Sequence, residues 1–306
     1  MNWFWFALIA LLCWSGSDLF SKIGCCGEKD KTAHLKMVVA VGVVMGLHAA
    51  YMLLFRNVEI TWQIVLTYLP VSLLYILSMA LGYIGLRYIE LSISSPICNS
   101  SGALVAVLCI VTGGLSALDG ANPVPVLCAV GMVCVGVVGL GVVEAREDDA
   151  LRARRQEHAN RKYAKSWLAI CLPIAYCVLD AAGTFADSLV LETLNEDSAN
   201  VAYELTFCAA GLACLLYLLI RREKFSFRLE LPKYAGAVCE TIGQLFYIYA
   251  LSDSEHVMLS APIISAYCVL SAVWSRIFLR EKLSWKHYAM IALVVAGIVI
   301  LGIYDI

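Results

Sequence analysis

Two carboxylate residues lie inside long apolar stretches of this sequence, where a helix that crosses a membrane would place them in hydrocarbon. Asp180 and Glu240 each fall near the middle of a stretch and share a helix face with a tyrosine, and Thr184 and Asp187 continue the face of Asp180. An ionisable group in the hydrocarbon core costs about 2.5–3.5 kcal/mol or more, so it usually faces an aqueous cavity or a partner. We expect both acids to belong to a substrate or proton site; the alternative is a structural hydrogen bond between helices.

Other polar residues at helical spacing extend this candidate site. Asp18 and Lys22 are four residues apart on one helix face and are expected to pair, which would by itself be an adequate structural role. His48 alone is more often a hydrogen-bonded packing residue than a functional one, and aromatic residues pack membrane cores routinely. The predicted substrate or proton site comprises Glu240, Asp180, Gln244, Tyr247, Tyr176, Asp18, Lys22, His48, Glu204, Asn99, Tyr267 and Trp274.

The sign of the charge within the apolar stretches indicates a class of substrate. Acids outnumber cations there. A cavity lined by carboxylates and aromatic rings attracts an amine or a quaternary ammonium through charge and cation–π interactions. A phosphorylated or sugar-nucleotide substrate would instead require clusters of Arg or Lys. A zwitterionic amino acid stays open as a substrate, and so does a use of the same carboxylates for proton coupling.

The composition predicts a membrane protein. Of the 306 residues, 61% are hydrophobic and 15% are charged, and the mean hydropathy is +0.80. A soluble domain carries roughly 25% charged residues. About 20 apolar residues in a helix cross the hydrocarbon core of a bilayer. We therefore predict an all-α integral membrane protein with ten transmembrane helices, near residues 3–23, 35–55, 65–88, 93–113, 124–143, 167–189, 199–220, 233–251, 257–279 and 286–303.

The distribution of charge between loops predicts an orientation. Most of the 22 Lys and Arg residues fall in alternate loops, while the loops between them carry acids. Loops rich in Lys and Arg remain in the cytoplasm, so ten spans place both termini outside. We expect the cytoplasmic (plasma) membrane to be the host. The first stretch has no cation before its apolar run and no clear cleavage pattern after it, so we predict a membrane helix rather than a signal peptide.

A short motif with a proline occurs twice in the chain. The stretch "SSPI" at Ser94–Ile97 returns as "SAPI" at Ser260–Ile263, 166 positions later. The same shift, without a gap, continues to match residues through the following stretch. Apolar residues match easily by chance in so apolar a sequence, whereas glycines match by chance less often. The matched glycines are Gly131 with Gly297 and Gly136 with Gly302.

The repeat predicts two halves of opposite orientation. We assign five spans to residues 1–143 and five to residues 167–306, with a charged cytoplasmic linker at 144–166. An odd number of spans in each half inverts the second copy, an arrangement that suits alternating access. Pro96 and Pro262 are expected to be helix-turn elements that lie in the first turn of corresponding helices. Proline lacks a backbone N–H, and in the first turn that N–H would have no hydrogen-bond partner within the helix.

The second half resembles a known family of carriers. The stretch "YIYALSDSEHVMLSAPIISAYCVLSAVWSRIFLREKLSWKHYAMIALVVAGIVILGI" is similar to the second repeat of the drug/metabolite transporter superfamily, EamA-like branch. The features that carry the resemblance are Tyr249, Ala250, Leu251, Pro262, Glu281 and, in the first span, Trp14, Gly16, Ser17 and Lys22. Ser15 is inserted after the tryptophan, and Leu115 stands at the counterpart of Glu281. The resemblance implies a ten-span secondary carrier of a small metabolite.

These observations together favour a secondary active transporter of an amine, a quaternary ammonium or an amino acid, with the proton as a candidate coupling ion. The alternative is a non-transporting membrane sensor or partner subunit that retains the carrier fold. We expect no enzyme, since zincin, nucleophile-elbow and Walker motifs are absent from the sequence. We also expect no cofactor and no metal, because Cys25, Cys26 and His34 do not match a zinc spacing. No nucleic-acid partner is expected, because the sequence has no basic patch with interleaved aromatic residues. One chain contains both halves, so a monomer is expected to function.

Overall fold

The computed structural model describes residues 2–25, 30–88, 91–113, 123–145, 167–279 and 283–304, and almost all of these residues are helical. Most of the predicted linker lies outside the described residues, as do Cys26 and Glu281. The helices of the described part are α1 (Trp3–Cys25), α2 (Ala33–Phe55), α3 (Trp62–Tyr88), α4 (Leu91–Cys98), α5 (Ser101–Gly113), α6 (Pro123–Ala145), α7 (Trp167–Leu191), α8 (Glu196–Ile220), α9 (Phe227–Leu251), α10 (Val257–Ser265), α11 (Tyr267–Phe278) and α12 (Trp285–Tyr304).

The described helices confirm an all-helical, multi-pass membrane protein. Eight stretches are long and apolar enough to cross a membrane, and their non-core faces carry large exposed apolar side chains that suit contact with lipid. The eight stretches are Trp3–Cys25, Ala33–Phe55, Trp62–Leu86, Ser94–Thr112, Val124–Val143, Cys171–Leu191, Glu196–Ile220 and Ser254–Phe278.

Two further helices that were predicted to span the membrane, α9 and α12, are not among the eight stretches that are long and apolar enough to cross it. Helix α12 has 20 residues, and the apolar stretch described within it, Trp285–Leu301, is shorter than the eight spans. Helix α9 has 25 residues, but it contains Glu230, Lys233, Glu240 and Gln244, all of them buried inside the protein. Its low apolarity therefore comes from polar groups that the other helices cover. The total of ten spans stays a prediction.

The fourth and ninth predicted spans are each broken into two helices. The break between α4 and α5 falls at Asn99 and Ser100, and the break between α10 and α11 falls at Ala266. Pro96 and Pro262 lie inside α4 and α10, four residues before Ser100 and Ala266 respectively. The prediction that these prolines occupy the first turn of a helix is therefore wrong. A proline within a helix removes one backbone hydrogen bond and kinks the chain, which suits a position just before a break.

The helices pack in pairs that cross between the two halves of the sequence. Helix α1 packs along α9, α3 along α7, α2 along α8 and α6 along α12. At the crossing of α2 and α8 the backbones touch: a Cβ atom added to Gly42 would lie 2.9 Å from the Gly211 Cα. Small residues allow this close approach between helices in a membrane. The paired helices enclose a polar cavity near the centre of the molecule.

Candidate substrate site

The central cavity lies between α1, α3, α4, α7, α8, α9 and α11. Its volume is about 60 Å³. Since one water needs on the order of 10–15 Å³ of such volume, the cavity holds only a few waters in this conformation. Aromatic residues form much of its wall, namely Trp14, Tyr75, Tyr83, Tyr176, Tyr203 and Tyr267.

Three carboxylates from three different helices line this cavity. Asp18 comes from α1, Asp180 from α7 and Glu240 from α9. The described residues that line the cavity include no Lys, Arg or His. A cavity with several acids and no cation in its described wall attracts positive charge and repels anions.

Each of the three carboxylates accepts a hydrogen bond from a serine of another helix. Ser17 Oγ donates to Glu240 Oε2 at 2.7 Å, and Ser101 Oγ donates to Asp180 Oδ2 at 2.7 Å. Asp18 Oδ2 accepts hydrogen bonds from the hydroxyls of Ser95 and Ser271. These hydroxyls fix the orientation of the carboxylates but supply no neutralising charge. The acids therefore keep their electrostatic attraction for a ligand.

Asp18 and Lys22, which were expected to pair, take different partners. Lys22 Nζ donates a hydrogen bond to the Leu86 carbonyl oxygen at 3.0 Å. The Asp18 carboxylate is instead held by hydroxyl groups from α4 and α11. Asp18 lines the cavity, whereas Lys22 is not among the lining residues and contacts the backbone of α3. Asp18 thus contributes to the acidic wall without an ion pair to Lys22.

The polar face of α9 is built by residues at helical spacing. Glu240, Gln244 and Tyr247 follow each other at intervals of four and three residues, and all three are buried. Gly243 lies beside this face, and a Cβ atom there would meet Trp14 Cδ1 at 2.4 Å. The absence of a side chain at Gly243 thus allows the Trp14 ring to pack on α9, where its centroid lies 4.8 Å from that of Tyr247.

Three hydrogen-bond donors in the cavity wall have no partner among the described residues. They are Trp14 Nε1, Gln244 Nε2 and the Tyr83 hydroxyl, and each is buried. A buried polar group without a hydrogen bond costs about 1–3 kcal/mol, so these donors are suited to water or a bound molecule. The cavity wall therefore offers hydrogen-bond donors as well as acids.

A smaller cavity adjoins the central one and shares Trp14, Tyr176, Asp180 and Tyr267 with it. The predicted site residues Asn99 and Tyr247 also line this smaller cavity, as does Thr184, which lies on the helix face of Asp180. Asn99 Nδ2 also donates to the Ser95 carbonyl oxygen at 2.8 Å, at the break after α4. The polar residues of α7 and α9 that were predicted from helical spacing thus meet in one connected region.

His48 and Glu204 form a pair away from the cavity. His48 Nδ1 lies 2.7 Å from Glu204 Oε1, and Asn200 Nδ2 donates to the same oxygen at 3.2 Å. This contact joins α2 to α8, and neither residue lines the central cavity. Trp274 is also outside the cavity wall, and its Nε1 donates to Ser15 Oγ at 3.1 Å. These three residues were predicted as site residues, and the structure places them around the site rather than in it.

Sequence reasoning missed several residues of the cavity wall. Tyr75, Tyr83 and Tyr203 line it, but none of them was singled out. Tyr75 and Tyr83 lie on α3, two turns apart, and Tyr203 directly precedes Glu204 on α8. The signal available was the spacing of Tyr68, Tyr75 and Tyr83, which are about two helical turns apart and therefore share one face of α3. It was weak because α3 has no carboxylate to mark its polar face.

Four charged residues form a buried cluster at the end of the molecule that carries the Lys- and Arg-rich loops, called here the Lys-rich end. Lys36 Nζ lies 2.9 Å from Asp30 Oδ2, and Lys233 Nζ lies 3.0 Å from Glu230 Oε2. Longer contacts of 3.7 Å and 3.9 Å join Lys36 to Glu230 and Lys233 to Asp30. Burial raises the pKa of Asp30, but hydrogen bonds from Lys36 and Thr32 outweigh this effect and hold the pKa below its ordinary value. The cluster ties the loop before α2 to the start of α9.

Comparisons with known proteins agree with the architecture. Residues 167–303 match a family described as the EamA-like transporter family. A solved structure described only as "Crystal structure of protein" has a similar fold, with a TM-score of 0.65 and 14% sequence identity over 98% of this chain and 96% of that chain. No curated protein matches the sequence. The identity to the solved structure is low, so that similarity describes the fold alone.

Proposed function

We propose, from the premise that residues 167–303 belong to the EamA-like transporter family, that this protein carries a small amine-bearing metabolite across a membrane. The observation that supports this substrate class most strongly is the wall of the central cavity. Asp18, Asp180 and Glu240 line it, and its described wall contains no cationic side chain. An ammonium group gains from these carboxylates and from the faces of the surrounding aromatic rings.

The unpartnered donors refine the substrate class. Trp14 Nε1, Gln244 Nε2 and the Tyr83 hydroxyl favour a substrate that also carries a hydrogen-bond acceptor, such as a carboxylate, a carbonyl or a hydroxyl. An amino acid or an amino alcohol satisfies both the acids and the donors. A sugar nucleotide or a phosphate ester does not, because it would bring further negative charge to three carboxylates.

The pairing of helices supports two inverted repeats. The shift of 166 positions relates α1 to α7 and α3 to α9. Helix α1 packs against α9, and their counterparts in the other half, α7 and α3, also pack against each other. The same shift relates Ser100, at the first helix break, to Ala266, at the second. An exchange of this kind is expected of a pseudo-two-fold axis in the membrane plane, which allows each half to adopt the conformation of the other.

Contacts at both ends of the molecule suit a carrier whose cavity opens to one side at a time. At the Lys-rich end, the cluster of Asp30, Lys36, Glu230 and Lys233 joins α2 to α9. At the opposite end, the Tyr249 hydroxyl donates a hydrogen bond to Asp197, which joins the end of α9 to the start of α8. Alternating access requires each set of contacts to open in turn. We assign the Lys-rich end to the cytoplasm, the termini to the outside and the protein to the plasma membrane, with a monomer as the working unit.

Ligand binding to the purified protein tests the substrate class. A ligand that binds only the folded state raises the melting temperature. We expect stabilisation by phenethylamine, choline or phenylalanine, little effect from a sugar nucleotide, and loss of the stabilisation in Glu240→Gln. The exposed acid Glu192 provides the matched control, Glu192→Gln. Stabilisation by the sugar nucleotide alone would contradict the proposal.

A non-transporting sensor or partner subunit remains the second candidate, because its cavity would bind the same ligands. Uptake into proteoliposomes separates the two. A carrier exchanges labelled ligand with unlabelled ligand across the bilayer, whereas a sensor binds the ligand without exchange. Binding without exchange for every ligand that stabilises the protein would favour the sensor.

A further inference from the structure

Asp187 is a buried carboxylate that the proposed substrate site does not use. It lies on α7, seven residues after Asp180, and its side chain is 0% exposed. The Tyr68 hydroxyl donates to Asp187 Oδ1 at 2.7 Å, and the Tyr75 hydroxyl donates to Oδ2 at 3.2 Å. Within the described part of the chain, no Lys, Arg or His forms an ion pair with it. Unlike the three acids of the central cavity, Asp187 lines neither cavity, so as an anion it would have neither a counter-cation nor water beside it. This makes the anion costly, and protonation is a natural state for Asp187.

A chain of hydroxyl groups connects Asp187 to the cavities. Tyr75 contacts Asp187 and also lines the central cavity. The Tyr75 hydroxyl oxygen lies 2.5 Å from that of Tyr247, and Tyr247 lies 2.8 Å from Thr184 Oγ1. Tyr247 and Thr184 line the smaller adjoining cavity, whereas Asp187 lines neither cavity. The carboxylate is therefore enclosed but has a continuous hydrogen-bonded route to the region that binds substrate.

This chain satisfies its hydrogen bonds in both protonation states of Asp187. When Asp187 is ionised, Tyr75 donates to the carboxylate, Tyr247 donates to Tyr75, and Thr184 donates to Tyr247. When Asp187 is protonated, it donates to Tyr75, Tyr75 donates to Tyr247, and Tyr247 donates to Thr184. Each arrangement places one hydrogen on each of the three links, and the direction differs. When Asp187 is protonated, the hydroxyl hydrogen of Thr184 is a fourth hydrogen, available to the smaller cavity that Thr184 lines. A buried polar network is stable when its members are satisfied, and the three links of this one are filled in both protonation states.

We infer that Asp187 is the proton-binding group of the carrier and that it exchanges its proton with the cavities through Tyr75 and Tyr247. The inference rests on the proposed transport function. In the outward step Asp187 gives its proton to the Tyr75 oxygen, Tyr75 gives its own proton to Tyr247, and Tyr247 gives its own proton to Thr184 Oγ1. The Thr184 hydroxyl then releases its proton to water in the smaller cavity. One proton leaves Asp187 and one appears in the cavity, while both tyrosines remain neutral.

The surroundings of Asp187 contain few other titratable groups. Those that face it are Tyr68 and Tyr75 from α3 and Tyr247 from α9, with the Tyr203 ring of α8 packed edge-on against Tyr75. Asp180, on the same helix, is bonded to Ser101 instead. The acids of the central cavity are then available to the amine, so the substrate and the proton occupy different carboxylates.

Infrared spectroscopy of the reconstituted full-length protein tests the inference without a ligand. Difference spectra between about pH 5 and about pH 9 report the carbonyl stretch of carboxyl groups that take up a proton. We expect one such band to be lost in Asp187→Asn and kept in Glu192→Gln, which changes an exposed acid on the loop after α7. Identical bands in Asp187→Asn and in the wild type would overturn the assignment.

A second variant keeps the carboxyl group and interrupts the route. In Tyr75→Phe with Tyr247→Phe the Asp187 band should remain, but its appearance after a rapid pH change should slow by about tenfold or more. Tyr217→Phe, which changes an exposed tyrosine on α8, is the control and should keep the wild-type rate. An unchanged rate in the double variant would contradict the route through the tyrosines.

Transport assays distinguish a failure of this inference from a failure of the proposed function. If the wild-type protein exchanges no amine across proteoliposomes, the carrier function fails, whatever the infrared bands show. If the wild type accumulates choline, which has no membrane-permeant neutral form, in response to a pH gradient and Asp187→Asn does so equally, the carrier function stands and the role of Asp187 fails. We expect Asp187→Asn to retain amine exchange at a uniform pH and to lose the response to the gradient.

Discussion

The Ser17 hydroxyl lies 2.7 Å from Glu240 Oε2 and joins α1 to α9 across 223 positions of sequence. This contact fixes the carboxylate at the wall of the central cavity. The neighbouring residue Asp18 is held in the same way by Ser95 and Ser271. The acids that give the cavity its charge are thus oriented by neutral hydroxyl groups, which leave that charge available to a cation.

The first prediction concerns the Ser17–Glu240 contact. Glu240→Gln should abolish the stabilisation of the protein by amines, because it removes a charge. Ser17→Ala removes a hydrogen bond to a charged group, worth about 1.5–3 kcal/mol, and should weaken amine binding by roughly tenfold to a hundredfold without abolishing it. Titration calorimetry with an amine measures both. Equal losses in the two variants would show that the orientation of Glu240, rather than its charge, decides binding.

The second prediction concerns the crossing of α2 and α8. Gly42→Ala would place a Cβ atom 2.9 Å from both the Gly211 Cα and the Phe207 carbonyl oxygen, so the helices must separate. We expect a loss of about 1–3 kcal/mol in the free energy of unfolding, the usual cost of overpacking. Thermal unfolding in detergent measures this loss.

The matched control for that variant is Gly131→Ala on α6. A Cβ atom at Gly131 meets nothing within 4 Å. Since alanine favours a helix over glycine by roughly 0.5–1 kcal/mol, this variant should be neutral or more stable. A similar loss in both variants would contradict the close backbone contact at Gly42.

The third prediction concerns the buried cluster at the Lys-rich end. Lys233 is 1% exposed, and Lys233→Met would leave Glu230 with only the longer contact to Lys36. Removal of one partner from a buried ion pair typically costs about 3–5 kcal/mol. Lys224→Met changes an exposed side chain nearby and should have little effect. Addition of Glu230→Gln to Lys233→Met should recover part of the loss, and a further loss instead would contradict the pairing.

The fourth prediction is a dependence of stability on pH. Because the pKa of Asp30 is lower in the folded protein than in the unfolded chain, the Asp30 interactions stabilise the fold above the unfolded value of about 3.9. This contribution is lost as the pH falls through the folded pKa. The melting temperature of Asp30→Asn should lie below that of the wild type near neutral pH, and the gap should close below about pH 4. A gap that is constant over the whole range would contradict the prediction.

The sequence predicted the acids of the site more reliably than their partners. Asp180 and Glu240 were recognised because a carboxylate in an apolar stretch is costly and therefore informative. Ser17 and Ser101 were not, since serine is common in membrane helices and a contact across the fold leaves no local pattern. The position of Pro262 within α10 was also missed, because a proline is compatible with the first turn of a helix and with a break after it.

The buried charge cluster shows a second limit of sequence analysis. Lys36 and Lys233 belong to the Lys- and Arg-rich loops of the predicted topology, and such charges are usually solvated. Their burial depends on the convergence of α1, α2 and α9 at one end of the molecule, and no single segment contains that information. The predicted family, in contrast, followed from residues that are close in sequence, and the match over residues 167–303 confirms it for the second half.

The most direct test of the central claim is the electrical current produced when an amine is added to proteoliposomes on a solid-supported membrane. Entry of a cation into the acidic cavity displaces charge within the membrane, so a protein with this site gives a transient current whose amplitude saturates with ligand concentration. We predict a current with phenethylamine or choline that is lost in Glu240→Gln and kept in Glu192→Gln. A current with a sugar nucleotide and none with any amine would contradict the account.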